Sequence, residues 1–322
     1  MQGFDHQLLE VNGITLSVYH CGPASAKPLW LLHGFPECWY SWRHQVAPLL
    51  AAGYQLFMPE MRGYGQTSAP REPEAYDLFT IGDDIRAAWD ALGQQQVALI
   101  AHDWGAPVAW QLALREPARV QAVVGMAVPY GGRPKQPATT IMRKLYAERF
   151  NYILYFQDVG AAEADMDTDI DRTLRVMLHS LSAAVPQDFF LQEKPASARL
   201  LDGLQAASEL PAWCEPEAFA RYRATFAERG FYGALNWYRN FERNWAQSEV
   251  LAEVKVEQPA LFLLGDKDPV GTLEAYTLQQ MPHWVPRLEQ HVIADCGHWL
   301  QSEQADTVNS YLVDFLARHY PA

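Results

Sequence analysis

Three observations predict an α/β fold, with a mostly parallel sheet covered by helices on both faces and a helical insertion. Short apolar runs of strand length alternate with longer amphipathic helical patterns at both ends of the chain. The alternation stops after Val128-Pro129-Tyr130-Gly131-Gly132 and resumes at about Val254. Finally, several residues able to do chemistry directly follow apolar runs, where loops at the carboxyl ends of parallel strands form a ligand crevice.

In chain order, the strand candidates are 14–19, 29–32, 54–58, 97–101, 120–127, 260–264 and 290–293. A preceding strand joins the first of these near Asn12-Gly13, a tight-turn dipeptide, so an antiparallel edge hairpin is expected. Ile81, Ile85, Ala88 and Leu92 recur at helical spacing, as do Val308, Tyr311, Leu312, Phe315 and Leu316. Residues 1–130 and 246–322 therefore read as one sheet domain. Residues 131–245 read as a helical cap inserted over its crevice.

The 322 residues carry 25 basic and 38 acidic side chains, a formal net charge of −13 that argues against nucleic acid or an anionic membrane as partner. No apolar run reaches the roughly 18 residues of a spanning helix, and no basic stretch precedes an apolar one at the start. Cys21, Cys38, Cys214 and Cys296 are scattered, which fits reduced thiols and a cytoplasmic protein better than disulfides or zinc.

The most informative stretch is Val97-Ala98-Leu99-Ile100-Ala101-His102-Asp103-Trp104-Gly105-Ala106-Pro107. A strand ends, then a small residue, a central Asp and a Gly lead into a helix whose first turn accommodates Pro107. This is the pattern of a nucleophile elbow, in which a strained strand-to-helix turn lifts one side chain above the sheet. A plain helix cap at Asp103 is the bland alternative. In elbow enzymes an acid and then a histidine follow downstream. Asp266 and Asp268 follow one late strand, and sequence spacing does not choose between them. Of the ten histidines only His298 follows the next strand, making it the candidate base. His33-Gly34-Phe35-Pro36-Glu37 follows the early strand 29–32, where an oxyanion loop belongs. The backbone N–H groups of Phe35 and Trp104 are then the candidate donors.

Aspartate at the elbow selects the chemistry. Serine attacking saturated carbon would leave an ether that water cannot reopen. A carboxylate, with a pKa near ~4, is already a nucleophile at neutral pH and leaves an ester that activated water can cleave. Epoxides and alkyl halides are the obvious substrates. An epoxide oxygen needs an acid near it, and tyrosine hydroxyls suit that work. The insertion offers Phe150-Asn151-Tyr152-Ile153 and Asn236-Trp237-Tyr238.

The elbow His102-Asp103-Trp104-Gly105, the loop His33-Gly34-Phe35-Pro36-Glu37 and the segments with Tyr152 and Tyr238 together resemble the soluble epoxide hydrolases of the α/β-hydrolase fold, across essentially the whole chain. The resemblance implies an eight-stranded, mostly parallel sheet with an inserted cap. It implies Asp103 as nucleophile, His298 as base, Asp268 as orienting acid, Tyr152 and Tyr238 as the ring-opening pair, and a cis peptide before Pro36. His33, Pro36, Phe150, Ile153 and Trp237 are expected to line the pocket. No metal or organic cofactor is expected; the partners are a small apolar epoxide and water, with a monomer or homodimer as the assembly. Mammalian relatives carry an additional phosphatase domain, which this chain is expected to lack.

Arg62-Gly63-Tyr64-Gly65 lacks the third glycine of a dinucleotide motif, Ser68 standing there, and reads instead as a loop beside the site. Asp83-Asp84 and the acidic stretch 163–171 read as solvated helix faces and N-termini rather than metal ligands. A haloalkane dehalogenase shares the Asp elbow and the following Trp, but Phe35 offers no side-chain amide for halide. A non-catalytic ligand-binding protein on this fold is the remaining alternative.

Overall fold

Apolar runs bounded by turn residues make the sheet. In the computed structural model, which describes residues 3–185, 192–204 and 208–322, eight strands form it: β1 (Asp5–Val11), β2 (Ile14–Cys21), β3 (Pro28–Leu32), β4 (Gln55–Pro59), β5 (Val97–His102), β6 (Val120–Met126), β7 (Ala260–Gly265) and β8 (Leu288–Ile293). Their order is β1-β2-β4-β3-β5-β6-β7-β8. Asn12 and Gly13 both take positive φ, 46° and 76°, and turn β1 antiparallel onto β2. β2 meets β4 antiparallel, and every later pair is parallel. All residues of β5 and β7 are buried, as strands covered on both faces must be.

The covering helices follow their apolar spacing. Helix Leu78–Ala91 begins where the Asp77 carboxylate accepts the Thr80 N–H, and it buries Ile81, Ile85 and Ala88. It packs against helix Gly105–Arg115, while helix Arg43–Ala51 packs against Ala305–His319, which buries Val308, Leu312, Phe315 and Leu316. Between β6 and β7 the described residues form helices, including Ala138–Leu145, Tyr152–Tyr155, Ile170–Ser180, Pro216–Ala227, Tyr232–Tyr238 and Phe241–Gln247, with one isolated bridge, Arg149 to Pro195. Among the described residues no helix is long and apolar enough to cross a membrane.

One expectation is corrected. Asp84 is not on a solvated face: it is buried and held by both Arg62 Nε and Nη2, at 2.7 and 2.6 Å, with Asn12 Nδ2 at 2.8 Å. Its helical position faces inward, and the arginine of the glycine-containing loop supplies the charge that makes burial tolerable.

The sheet positions the site through one close approach. A Cβ on Gly105 would lie 2.1 Å from the Leu32 carbonyl oxygen, so only glycine lets the helix start against the end of β3. Gly105→Ala should therefore lower unfolding free energy by about 1–3 kcal/mol in a urea titration.

Candidate active site

Asp103 lies one residue beyond β5 with φ +49°, a left-handed conformation unusual for a residue with a side chain. Its N–H donates to the Met126 carbonyl at 3.2 Å and its carbonyl accepts the Ala106 N–H at 2.9 Å, fixing the turn between strand and helix. Ala101, two residues earlier, is fully buried in register with Leu32. Gly34 is the second position that tolerates no side chain, because an added Cβ would meet Asp103 Oδ1 at 2.3 Å. That contact brings the loop after β3 against the carboxylate, and the Phe35 N–H donates to Asp103 Oδ1 at 2.6 Å. The Phe35–Pro36 peptide is cis.

The loops after β7 and β8 deliver the other charges. His298 Nε2 stands 3.6 Å from Asp103 Oδ2, and His298 Nδ1 is 2.9 Å from Asp268 Oδ2. Asp268 is fully buried and also accepts the Val270 N–H at 2.9 Å. Asp266, which spacing left as its rival, is exposed and accepts the Cys296 N–H at 3.0 Å. Geometry thus separates two acids that the sequence could not. Burial pushes the Asp103 carboxyl up, but the contact and charge of His298, His102 and the Phe35 N–H outweigh it and hold it below the ordinary aspartate value. For His298 burial favours the neutral ring, yet Asp268 and Asp103 together hold its pKa well above that of a free imidazole.

A cavity of about 400 Å³ opens beside Asp103, with Trp104, Tyr152, Ile153, Tyr238 and Phe241 on its wall. Tyr152 and Tyr238 come from separate helices, and their ring centroids are 6.0 Å apart. Tyr238 meets the Trp104 ring edge-on at 5.0 Å. Burial raises both phenol pKa values, and the Asp103 charge raises them further, so both hydroxyls keep their protons.

Four expected pocket residues lie elsewhere. His33 is completely buried, with Nδ1 on the Gly34 carbonyl at 2.9 Å and Nε2 accepting the Met61 N–H at 3.1 Å. Burial lowers its pKa to about 4, so it is neutral. Pro36 belongs to the same loop and is not on the cavity wall. Phe150 faces a different hollow, lined also by Lys194 and Leu204. Trp237 is buried with its indole N–H on the Arg62 carbonyl at 3.0 Å, tying the cap helix to the glycine-containing loop.

Glu37 and His102 stand inside the oxyanion-loop and elbow motifs, and their sequence positions alone assign them no role. Glu37 is buried, with Oε2 2.6 Å from His102 Nδ1 and Oε1 accepting Gln301 Nε2 at 2.7 Å. His102 Nε2 donates to the backbone carbonyl of His298 at 2.8 Å. This chain links the loops carrying Phe35, Asp103 and His298. The available signal was a carboxylate and a histidine, each beside a proposed functional residue and each following an apolar strand. Burial pushes the Glu37 carboxyl up, but His102 and accepted hydrogen bonds hold it below the ordinary value. Its stabilising contribution is therefore present above the unfolded glutamate pKa and lost as pH falls through the lower folded one. Glu37→Gln should cost about 3 kcal/mol near neutral pH and flatten the acid limb of stability against pH, measured by urea unfolding across pH.

Residues 27–305 match the family model for the alpha/beta hydrolase fold. The chain is 38% identical to epoxide hydrolase A of Mycobacterium tuberculosis over 96% of each chain. It is 35% identical to bifunctional epoxide hydrolase 2 of Sus scrofa over 94% of this chain, but spans only 53% of that longer relative. The crystal structure of epoxide hydrolase A from Mycobacterium thermoresistibile superposes with a TM-score of 0.91 at 39% identity, covering 97% of this chain and 98% of that one. The chain belongs to the epoxide hydrolases of the α/β-hydrolase fold.

Proposed function

We propose that the protein converts epoxides to vicinal diols in two steps, through an ester on Asp103. The observation that carries this reading is the meeting, at one cavity, of an elbow carboxylate already held by the Phe35 N–H with two protonated tyrosines. Asp103 Oδ2 attacks a ring carbon while Tyr152 and Tyr238 donate to the epoxide oxygen, one of them protonating the alkoxide as the C–O bond breaks. Residues 131–245 act as the cap that carries both tyrosines over the core formed by 1–130 and 246–322. Ile153 and Trp104 shape the space for a small apolar substrate.

Alkylation removes the negative charge of Asp103, and with it one of the two charges that hold a proton on His298. The ring gives up that proton as the donor tyrosine is restored, leaving a neutral base oriented by Asp268. Water activated by His298 then attacks the Asp103 carbonyl. The oxyanion forms at Oδ1, where the Phe35 N–H lies already and the Trp104 N–H joins it. Its collapse breaks the Cγ–Oδ2 bond. The diol leaves with that oxygen and the proton of the added hydroxyl, while Asp103 regains its charge and His298 keeps the proton taken from water. His33, Pro36, Phe150 and Trp237 support these loops and helices from outside the cavity. We infer that the reaction needs no metal or cofactor, and that a monomer or homodimer carries it out in the cytoplasm.

Two measurements test the steps separately. His298→Gln should still be alkylated but not hydrolysed, so mass spectrometry after brief exposure to an aryl epoxide should find one substrate mass on Asp103. Full turnover by this variant, or label on another peptide, refutes the assignment. In parallel, Tyr152→Phe and Tyr238→Phe should each slow single-turnover ester formation about tenfold or more, and the double change by roughly 10²–10⁴-fold, with melting curves little altered. If the double variant opens epoxides at the parent rate, or the parent releases halide from a haloalkane more readily than it forms diol, the ring-opening assignment fails.

A further inference from the structure

The cavity beside Asp103 contains one carboxylate that this mechanism leaves idle. Glu274, just past the short helix Pro269–Leu273, lies on the same wall as Val270 and Leu273. Its backbone N–H donates to the Val270 carbonyl at 2.8 Å, and the Thr277 hydroxyl donates to Oε2 at 2.5 Å, so the backbone and one carboxylate oxygen are both held. Among the described residues no protein donor reaches Oε1. Asp103 and, after it, Glu274 both raise the Tyr152 phenol, which puts that hydroxyl within the field of both carboxylates.

The remaining walls make this charge count. Ile141, Met142, Leu145 and Leu273 are apolar, and among the described residues the cavity wall carries Asp103 and Glu274 but no Lys, Arg or His. Arg133 and Arg149 line other hollows. His298 stands behind Asp103, committed to Asp103 and Asp268. An anion entering here finds no unclaimed cation to pair with, whereas a cation finds a carboxylate oxygen with no other donor on it.

Resting on the epoxide reading, we infer that Glu274 is a specificity-determining residue that selects epoxides bearing a positive group on the end away from the ring and rejects those bearing a carboxylate there. It acts on the orientation and binding of the substrate, not on bond breaking.

The test uses three epoxides of equal chain length, ending in trimethylammonium, tert-butyl or carboxylate; the first two share a shape and differ in charge. The readout is the ratio of kcat/KM for ammonium over carboxylate within each variant, so a general loss of activity cancels. The parent should prefer the ammonium. Glu274→Gln should shrink the ratio about tenfold or more, Glu274→Lys should reverse the preference, and Glu274→Asp should keep most of it. A ratio unchanged in both the Gln and Lys variants, or a parent that prefers the carboxylate, overturns the inference while leaving epoxide hydrolysis intact. No diol from any of the three substrates removes both.

Discussion

Everything at this site depends on how closely the helix after β5 is pressed against the end of β3. Leu32 leaves no room for a side chain at Gly105, and Asp103 leaves none at Gly34. These two contacts hold the carboxylate in a left-handed turn with its Oδ1 on the Phe35 N–H. A looser junction would let Asp103 relax into the helix and cap it, the ordinary fate of an aspartate at that position. Strain at one residue is tolerable because β5 before it, the helix Gly105–Arg115 after it and the Met126 carbonyl of β6 fix the backbone. The Glu37–His102–His298 chain then locks the three loops together beneath the cavity.

In the proposed mechanism, charge balance sets the order of events. One imidazole stands between two carboxylates, Asp103 and Asp268, and in the resting protein both favour its charged form. A base that starts out protonated looks like a poor arrangement. It becomes a suitable one if the first step consumes the charge that held the proton. Alkylation does this, so the ring becomes a base only after there is an ester to hydrolyse. Water activation before substrate attack is suppressed for the same reason. Asp268, buried and with Val270 N–H on its other oxygen, holds the ring in place.

The sheet and its order of motifs were legible because they rest on local signals. Apolar runs mark β2 to β8, Asn12-Gly13 marks the hairpin, and Asp103, Asp268 and His298 each follow a strand. What failed was what depends on the direction a side chain takes after the chain has folded. Asp266 and Asp268 are equally placed in sequence, and only the turn decides that one reaches His298 while the other stays in solvent. Asp84 sits in an acidic pair that reads as surface, yet its helical phase turns it to Arg62. His33, Phe150 and Trp237 adjoin residues on or beside the cavity and still face away from it. Glu37 was in plain view, but its partners come from positions 102 and 301, a pairing no local pattern encodes.

The tyrosines pose the sharpest physical question, since burial and the nearby carboxylate raise their pKa values and so make them weaker acids. Weak acidity is compatible with their task for two reasons. A phenol that ionised in the resting site would set a second negative charge beside Asp103 and repel the nucleophile's own electrons from the ring. The alkoxide leaving an epoxide is also a stronger base than an ordinary phenolate, and the burial that raises the phenols raises its basicity too, so proton transfer to it stays favoured. The environment that weakens the acid changes during the step as well. As Asp103 passes its charge into the forming bond, burial still holds both phenols up but the Asp103 share of the rise is relieved, and the hydroxyl becomes more acidic as the oxygen beside it becomes basic. In the proposed ring opening, donor and nucleophile are thus coupled through one charge.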